Sequence, residues 1–342
     1  MASTIGNNDV KARVEAEIFG QGRDLRGSGF RTLLLSALGI SLLILIVLMI
    51  QVVSDGWSVL STRPFEFLNG VLRSTSEDES LGISQGLIGS FWIAVFVIVL
   101  AFPVGIAAAV YLEEYAKQNR ITNAIDIAVR NLAGVPSVVY GLLGLFLLVK
   151  GSKYTNWLFV HPFNWVWRQF KGEAAFQGQS TLIAGGMTLA ILVLPIVIIT
   201  SAEAIRAVPS SLRQGAYGVG ATKWDVIRTQ VLPFAAPGIL TGTLLSLSRA
   251  IGEAAPLILV GAITGRLAPR DSVFGSIGAF TEQFSDRFTA MPIVIVGWIQ
   301  EAGVDSGFQA AAGAAIVVLL VVVIAMNSVA VVLRNHFEKK RG

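Results

Sequence analysis

The chain has 342 residues, of which 54% are hydrophobic and only 14% charged, with a mean hydropathy of +0.68. A water-soluble domain carries nearer a quarter charged residues, so an ordinary globular fold is excluded from the start. A pI near 9.5 in so apolar a chain points to basic residues that set membrane orientation rather than to nucleic acid, and the absence of cysteine excludes disulfides, thiolate metal sites and a cysteine nucleophile.

At roughly 20 residues per span, this length leaves room for about six membrane helices and their loops. Residues 1–31 form a polar tail of mixed charge, with a short amphipathic helix expected through Val10, Val14 and Ile18. Residues 32–53 carry no charge and are long enough to span; the stretch is too long for a signal peptide and no small-x-small cleavage site follows, so it reads as the first transmembrane helix. Further spans are expected at Ile83–Leu112, Leu132–Val149, Thr181–Ile205, Pro237–Ile263 and Ala310–Leu333. Pro292–Ile299 is apolar but too short to cross and reads as a re-entrant or interfacial piece. Trp157, Phe159, Phe163, Trp165 and Trp167 within Gly151–Gln179 read as an interfacial aromatic belt. His161 and His336 stand far apart in polar flanks and give little support to a metal site.

Segments 1–31, 113–130, 206–232 and 334–342 together hold 16 Lys and Arg, against 9 in the alternating segments 54–82, 150–179 and 264–309. By the positive-inside rule both termini are expected in the cytoplasm, together with the loop 206–233.

That loop has the pattern of two short helices joined by a turn. Pro209-Ser210-Ser211 opens the first, with Ser210 or Ser211 expected to satisfy its free N–H groups. Gly218 and Gly220 allow the turn, Thr222 and Asp225 form a capping-box pattern for the second, and Leu232-Pro233 is expected to end it. Arg213, Lys223 and Arg228 are available for contacts. An arbitrary loop of this kind is a solvated connector; a DNA-binding helix-turn-helix is a poor fit, because a loop tied at both ends to membrane spans does not easily enter a groove.

In the fifth span Arg249 and Glu253 are spaced i, i+4, which places them on one face of a continuous helix where they can pair. Charges inside a span cost on the order of 2.5–3.5 kcal/mol each, so the pair is expected to face the bundle interior or a wet cavity. Two roles fit: an ion pair that locks two helices, or an anion site in which the arginine fork meets phosphate oxygens and the glutamate accepts from a protonated one.

Gln214-Gly215-Ala216, then Gly220, then Leu232-Pro233 resembles the EAA loop of ABC importer permeases, with Gln214 in the place of the family's Glu and Gly215 in that of its first Ala. The stretch from Arg249 to Leu257 is similar to the Arg-x-x-Gly-Glu-x-Ala-Pro-Leu segment of the PstA family of phosphate-specific importers, and so are Tyr111–Tyr115, Val135–Gly141 and Phe288-Thr289-Ala290 before Pro292. The sister PstC family has a similar Arg and Gly-Glu but typically lacks the Ala-Pro-Leu continuation.

The resemblance implies an all-α integral membrane protein of type I ABC importer architecture, with six transmembrane helices and a permease core at 83–335 between the tail 1–31 with its first helix and a short tail 336–342. It implies that Ser211, Arg213, Gln214, Gly215, Ala216, Tyr217, Gly220 and Ala221 couple to an ATPase. It also implies a substrate path through Arg249 and Glu253, no cofactor on this chain, and ATP-Mg on the partner. The implied partners are a PstC-like permease, a PstB-like ATPase dimer and a PstS-like binding protein that delivers inorganic phosphate, in a prokaryotic inner or plasma membrane. No Gly-x4-Gly-Lys-Ser/Thr is present, so this chain is not expected to hydrolyse ATP. The other class to weigh is a secondary transporter or channel, which has no reason to hold the 206–233 loop; among importers, molybdate, tungstate and sulfate permeases are the nearest rivals. Gly238 and Gly242 form a GxxxG in span five that permits close helix packing.

Overall fold

The structure, a computed structural model, describes residues 25–117, 119–151, 180–263 and 287–339, with side chains from 27 to 335. The aromatic belt expected within 151–179, the amphipathic stretch through Val10, Val14 and Ile18, and both histidine side chains lie outside the described residues. The chain divides into two units, 1–51 and 52–342.

In the first unit the described residues belong to α1 (Leu25–Thr62), longer at both ends than the expected span. Its apolar side chains from Phe30 to Leu48 are exposed, as befits a helix that is hydrophobic all round and meets lipid or another membrane helix. Thirty-eight residues give about 57 Å of helix, more than the ~30 Å of hydrocarbon, so its ends run past the apolar layer.

The second unit contains α2 (Pro64–Asn69), α3 (Ser84–Val110), α4 (Arg120–Ala133), α5 (Ser137–Gly144), α6 (Leu182–Arg206), α7 (Ser210–Gly218), α8 (Lys223–Val226), α9 (Leu232–Gly252), α10 (Ala255–Val260), α11 (Met291–Glu301) and α12 (Gly307–Lys339). Among the described residues five helices are long and apolar enough to cross a membrane, or six when α4 and α5 count as one bent span. The expected all-helical membrane architecture is therefore present.

α6 lies at the centre, with 67% of its most apolar stretch buried against 6% for α12. Glycines let its neighbours approach. A Cβ on Gly105 of α3 would come within 2.6 Å of Val197, one on Gly238 of α9 within 2.8 Å of Ala204, and one on Gly242 within 2.5 Å of Thr200. The GxxxG of span five is thus the seam along which α9 packs on α6. At the start of α3 a second cluster gathers Phe67, Leu72, Leu81 and Ile83 around Trp298 and Phe308. There Asp305 accepts from the Ser76 hydroxyl at 2.6 Å and the Ser76 N–H at 2.9 Å, bonds that hold its carboxyl below the ordinary aspartate range and tie the 70–82 loop to the α11–α12 corner.

Three expectations need correction. The span expected at Leu132–Val149 is not one continuous helix: it begins in the last two residues of α4, and the helical stretch from Ser137 to Lys150 is bent by 99° to α4. Pro136 lacks an N–H and pushes Val135 out of α geometry, so α4 stops and α5 starts afresh. α4 buries no residue and leaves Ile121, Ile125 and Ile127 exposed. The helix expected to end at Leu232-Pro233 instead continues into span five through a π-helical turn at Ile227–Val231; the wider turn accommodates Pro233, which offers no N–H to Thr229. Span five then ends at Gly252, well before Ile263, because Gly252 is a poor helix residue and the ring of Pro256 clashes with the carbonyl four residues back. The short apolar piece read as re-entrant or interfacial is α11, which packs inside the bundle with Met291, Ile293, Val294 and Trp298 buried.

The α6–α9 seam yields a direct expectation. Gly242→Leu forces a side chain into Thr200 and is expected to destabilise the protein by about 1–3 kcal/mol. Gly39→Leu, where nothing lies within 4 Å, leaves stability unchanged. Thermal unfolding of the two purified variants in detergent is the measurement.

Candidate functional site

Two regions carry the polar chemistry. The first is the α6–α7–α8 corner. α7 starts after Pro209, which occupies the N-cap with φ −57° and ψ 136°; Ser210 and Ser211 are the first residues inside the helix and make no cap bond, contrary to expectation. α7 ends in a Schellman motif: the Ala221 N–H donates to Ala216 O at 3.2 Å, the Gly220 N–H to Tyr217 O at 3.0 Å, and Gly220 sits at φ +83°. The glycine at 220 is therefore required by backbone conformation, since no atom lies within 4 Å of where its Cβ would be. Thr222 and Asp225 form the expected capping box, each side chain accepting from the other's N–H.

Ser211, Gln214, Gly215 and Tyr217 are exposed on α7, while Arg213, Ala216 and Ala221 are half-buried. Arg213 faces the bundle. Its Nε and Nη2 donate to Glu114 Oε1 at 3.1 and 2.9 Å, Nη1 to Val208 O at 2.7 Å, and Nη2 also to Ile205 O at 2.9 Å. The basic side chain that looks available in the sequence is thus occupied by its own subunit. Next to it Arg206 pairs with Glu113, Nε to Oε2 at 3.2 Å, and the Lys223 ammonium lies 4.9 Å from the centre of the Tyr115 ring. The Arg130 guanidinium bridges Asp126 at 3.0 Å and Glu203 at 3.9 Å. Sequence reasoning missed Glu113 and Glu114; the signal was two adjacent acids closing an apolar span opposite a basic loop.

The second region is the break between α9 and α10. Arg249 lies in the last turn of α9, where a cation is favoured by the helix dipole. Glu253 is extended at φ −83° and ψ 113°, and Arg249 Nε stands 3.4 Å from Glu253 Oε1. The pair therefore forms, but across a helix end and not along one continuous face. The arginine side chain is 59% exposed and the glutamate 21%. Beside it the Ser248 hydroxyl donates to Asn327 Oδ1 of α12 at 2.7 Å. α10 is held against α5, since a Cβ on Gly141 would lie 2.7 Å from Pro256 Cα, and the Tyr140 hydroxyl donates to Leu132 O at 2.8 Å across the α4–α5 bend. The Val135–Gly141 and Ala254–Leu257 stretches, far apart in sequence, thus meet at one place.

Residues 101–342 match the family model of the binding-protein-dependent transport system inner membrane component. The chain is similar to the probable ABC transporter permease protein YqgH of Bacillus subtilis, 35% identical over 64% of each chain, so this match spans just under two thirds of that protein's length. It is 31% identical to the phosphate transport system permease protein PstC of Mesorhizobium japonicum over 72% of this chain and 77% of that one, and 33% identical to the phosphate transport system permease protein PstA 1 of Mycobacterium tuberculosis over 70% of each. A chain of the crystallised bacterial alginate ABC transporter, in complex with a periplasmic protein carrying alginate pentasaccharide, has the same fold at 16% identity, with a TM-score of 0.58 over 89% of this chain and 93% of that one. On this sequence match, and with a helical membrane fold to go with it, the chain belongs to the family of inner-membrane components of binding-protein-dependent ABC importers, the permease subunits that carry no ATPase of their own.

Proposed function

We propose that this permease is half of a phosphate importer: it pairs with a PstC-like permease, rests on a PstB-like ATPase dimer that binds ATP-Mg, and accepts inorganic phosphate from a PstS-like binding protein. The reading of substrate is carried by one observation, an arginine in a membrane span whose side chain is 59% exposed with only a 3.4 Å contact to Glu253. A charge so placed in a span calls for an aqueous path or a partner subunit. The guanidinium fork suits the tetrahedral oxygens of phosphate. Glu253 accepts from a protonated phosphate oxygen and offsets the arginine charge, so that the anion leaves as readily as it enters. The names of the PstC and PstA 1 relatives support phosphate over related oxyanions.

The exposed residues Ser211, Gln214, Gly215 and Tyr217 of α7 supply the surface that docks on the ATPase, and the Schellman turn through Ala216, Gly220 and Ala221 fixes the angle at which they are presented. ATP binding draws the two docking helices of the permease pair together and opens the path outward; hydrolysis resets it. Both termini lie in the cytoplasm and the membrane is the prokaryotic inner or plasma membrane, a reading supported by the excess of basic residues on that side.

Three experiments test this reading. A cysteine at Ser306 is expected to react with an impermeant thiol reagent from outside the cell and one at Ser210 is not; the native chain has no cysteine to confuse the label, and the reverse pattern overturns the orientation. Gly220→Pro fixes φ near −65° at a residue that needs +83° and removes the bond to Tyr217. It is expected to abolish phosphate uptake and phosphate-stimulated ATP hydrolysis in liposomes while the protein still inserts, and wild-type values for both remove the coupling role. For the substrate path, Arg249→Gln combined with Glu253→Gln removes both charges at similar volume, which a merely structural pair tolerates. The double variant is expected to assemble with its partners and fail to transport, and Arg249→Lys to transport about tenfold more slowly through loss of the fork. Wild-type uptake by the assembled double variant refutes the phosphate site.

A further inference from the structure

The Tyr111–Tyr115 stretch has a geometry that its place at the end of α3 does not require. The helix widens there into a π-helical turn closed by the Ala116 N–H to Tyr111 O at 2.8 Å. In an α-helix neighbouring side chains diverge by about 100°; here Glu113 and Glu114 both find partners at the α6–α7 corner, Arg206 and Arg213. The two pairs are not equivalent. Arg206 is 56% exposed, so water screens its attraction to Glu113. Glu114 is 8% exposed and Arg213 22%, which shelters that pair and strengthens it.

Arg213 also donates to the carbonyls of Ile205 and Val208. One guanidinium thereby joins α7, the last turn of α6, and an acid in the π-helical turn that continues α3, 99 residues away in sequence. Capping the α6 terminus needs only the two carbonyl bonds. The bonds to Glu114 add a connection to another membrane helix. α7 is nine residues long and buries none of them fully; its apolar contact is through Leu212 and Ala216 on a cluster that includes Ala109 of α3, and the Arg213 bonds add a directional link to the same helix end. α3 in turn meets α6 at Gly105 and Val197, so a displacement of α3 acts on the centre of the bundle.

We infer that Glu114 and Arg213 form the joint through which movement of α7 is passed to α3, with Glu114 a positioning residue acting through Arg213. The inference rests on the proposal that α7 faces the ATPase. The test uses the complete complex in liposomes with phosphate-loaded binding protein, and follows three quantities: ATPase subunit retained, basal ATP hydrolysis, and phosphate transported per ATP. Glu114→Gln keeps the shape and removes the charge. It is expected to retain the ATPase subunit and basal hydrolysis while phosphate per ATP falls about tenfold, the loss of roughly one charge-assisted hydrogen bond. Glu113→Gln, at the screened pair, lowers the ratio less than about threefold.

An unchanged ratio in Glu114→Gln overturns the joint. So does a loss of transport that only follows a loss of ATPase subunit, an outcome that makes the pair a docking support and leaves α7 as the ATPase-facing helix. The underlying reading fails separately if a photo-crosslinker at Gln214 captures no ATPase subunit in otherwise unaltered complex. Should Glu114→Gln not be recovered from membranes, Glu114→Asp keeps the charge and shortens its reach; a ratio equal to wild type in that variant overturns the joint as well.

Discussion

Inside a bilayer an unpaired backbone N–H or C=O costs several kcal/mol, so each point where this chain leaves the α-helix must supply its own partners. At several such points among the described residues the break is closed locally. At the α4–α5 bend the Leu132 carbonyl accepts from the Val135 N–H at 3.0 Å and the Tyr140 hydroxyl at 2.8 Å. At the entry to α9 a π-helical turn makes room for Pro233. After α10 a second Schellman turn closes on Gly261 at φ +94°, with the Ala262 N–H bonded to Leu257 O at 2.9 Å. The break at Glu253 differs in carrying charge: its N–H still donates to Ala250 O at 3.2 Å, and an ionic pair stands at the helix end beside that bond.

That difference connects packing to function. α9 is held against α6 by backbone approach at Gly238 and Gly242, which leaves little freedom along the seam. α10 is held against α5 at Gly141 and Pro256. Arg249, in the last turn of α9, and Glu253, just past its end, stand between these two rigid contacts. A charged pair there is fixed in position by its neighbours while its polar atoms stay reachable, as an anion path requires.

At the other end of α9 the same economy holds. The α7 helix is too short to be stable alone, and its form depends on a glycine that stops it, a capping box that starts the next helix and an arginine that anchors it. Its outward surface is thereby free of structural duties. A docking helix built this way keeps its shape when a partner pulls on it, because its ends are set by backbone hydrogen bonds and its base by a sheltered ion pair.

The sequence by itself determined the class of molecule, because apolar runs of membrane length with so few charges have no alternative fold in water. It determined α6 almost to the residue, the capping box at Thr222 and the turn at Gly220, since each depends on neighbours within one helical turn. Only the tertiary structure decided where the other spans break. Pro136, Pro233 and Pro256 look alike in the sequence, yet one bends a span, one is absorbed by a π-helical turn and one begins a new helix, according to what packs around each. The same holds for charge. Nothing local distinguishes Arg213, bound inward to Glu114, from Arg228, which is exposed. An ion pair spanning 99 positions is a property of helices brought side by side, and residue spacing carries no record of it.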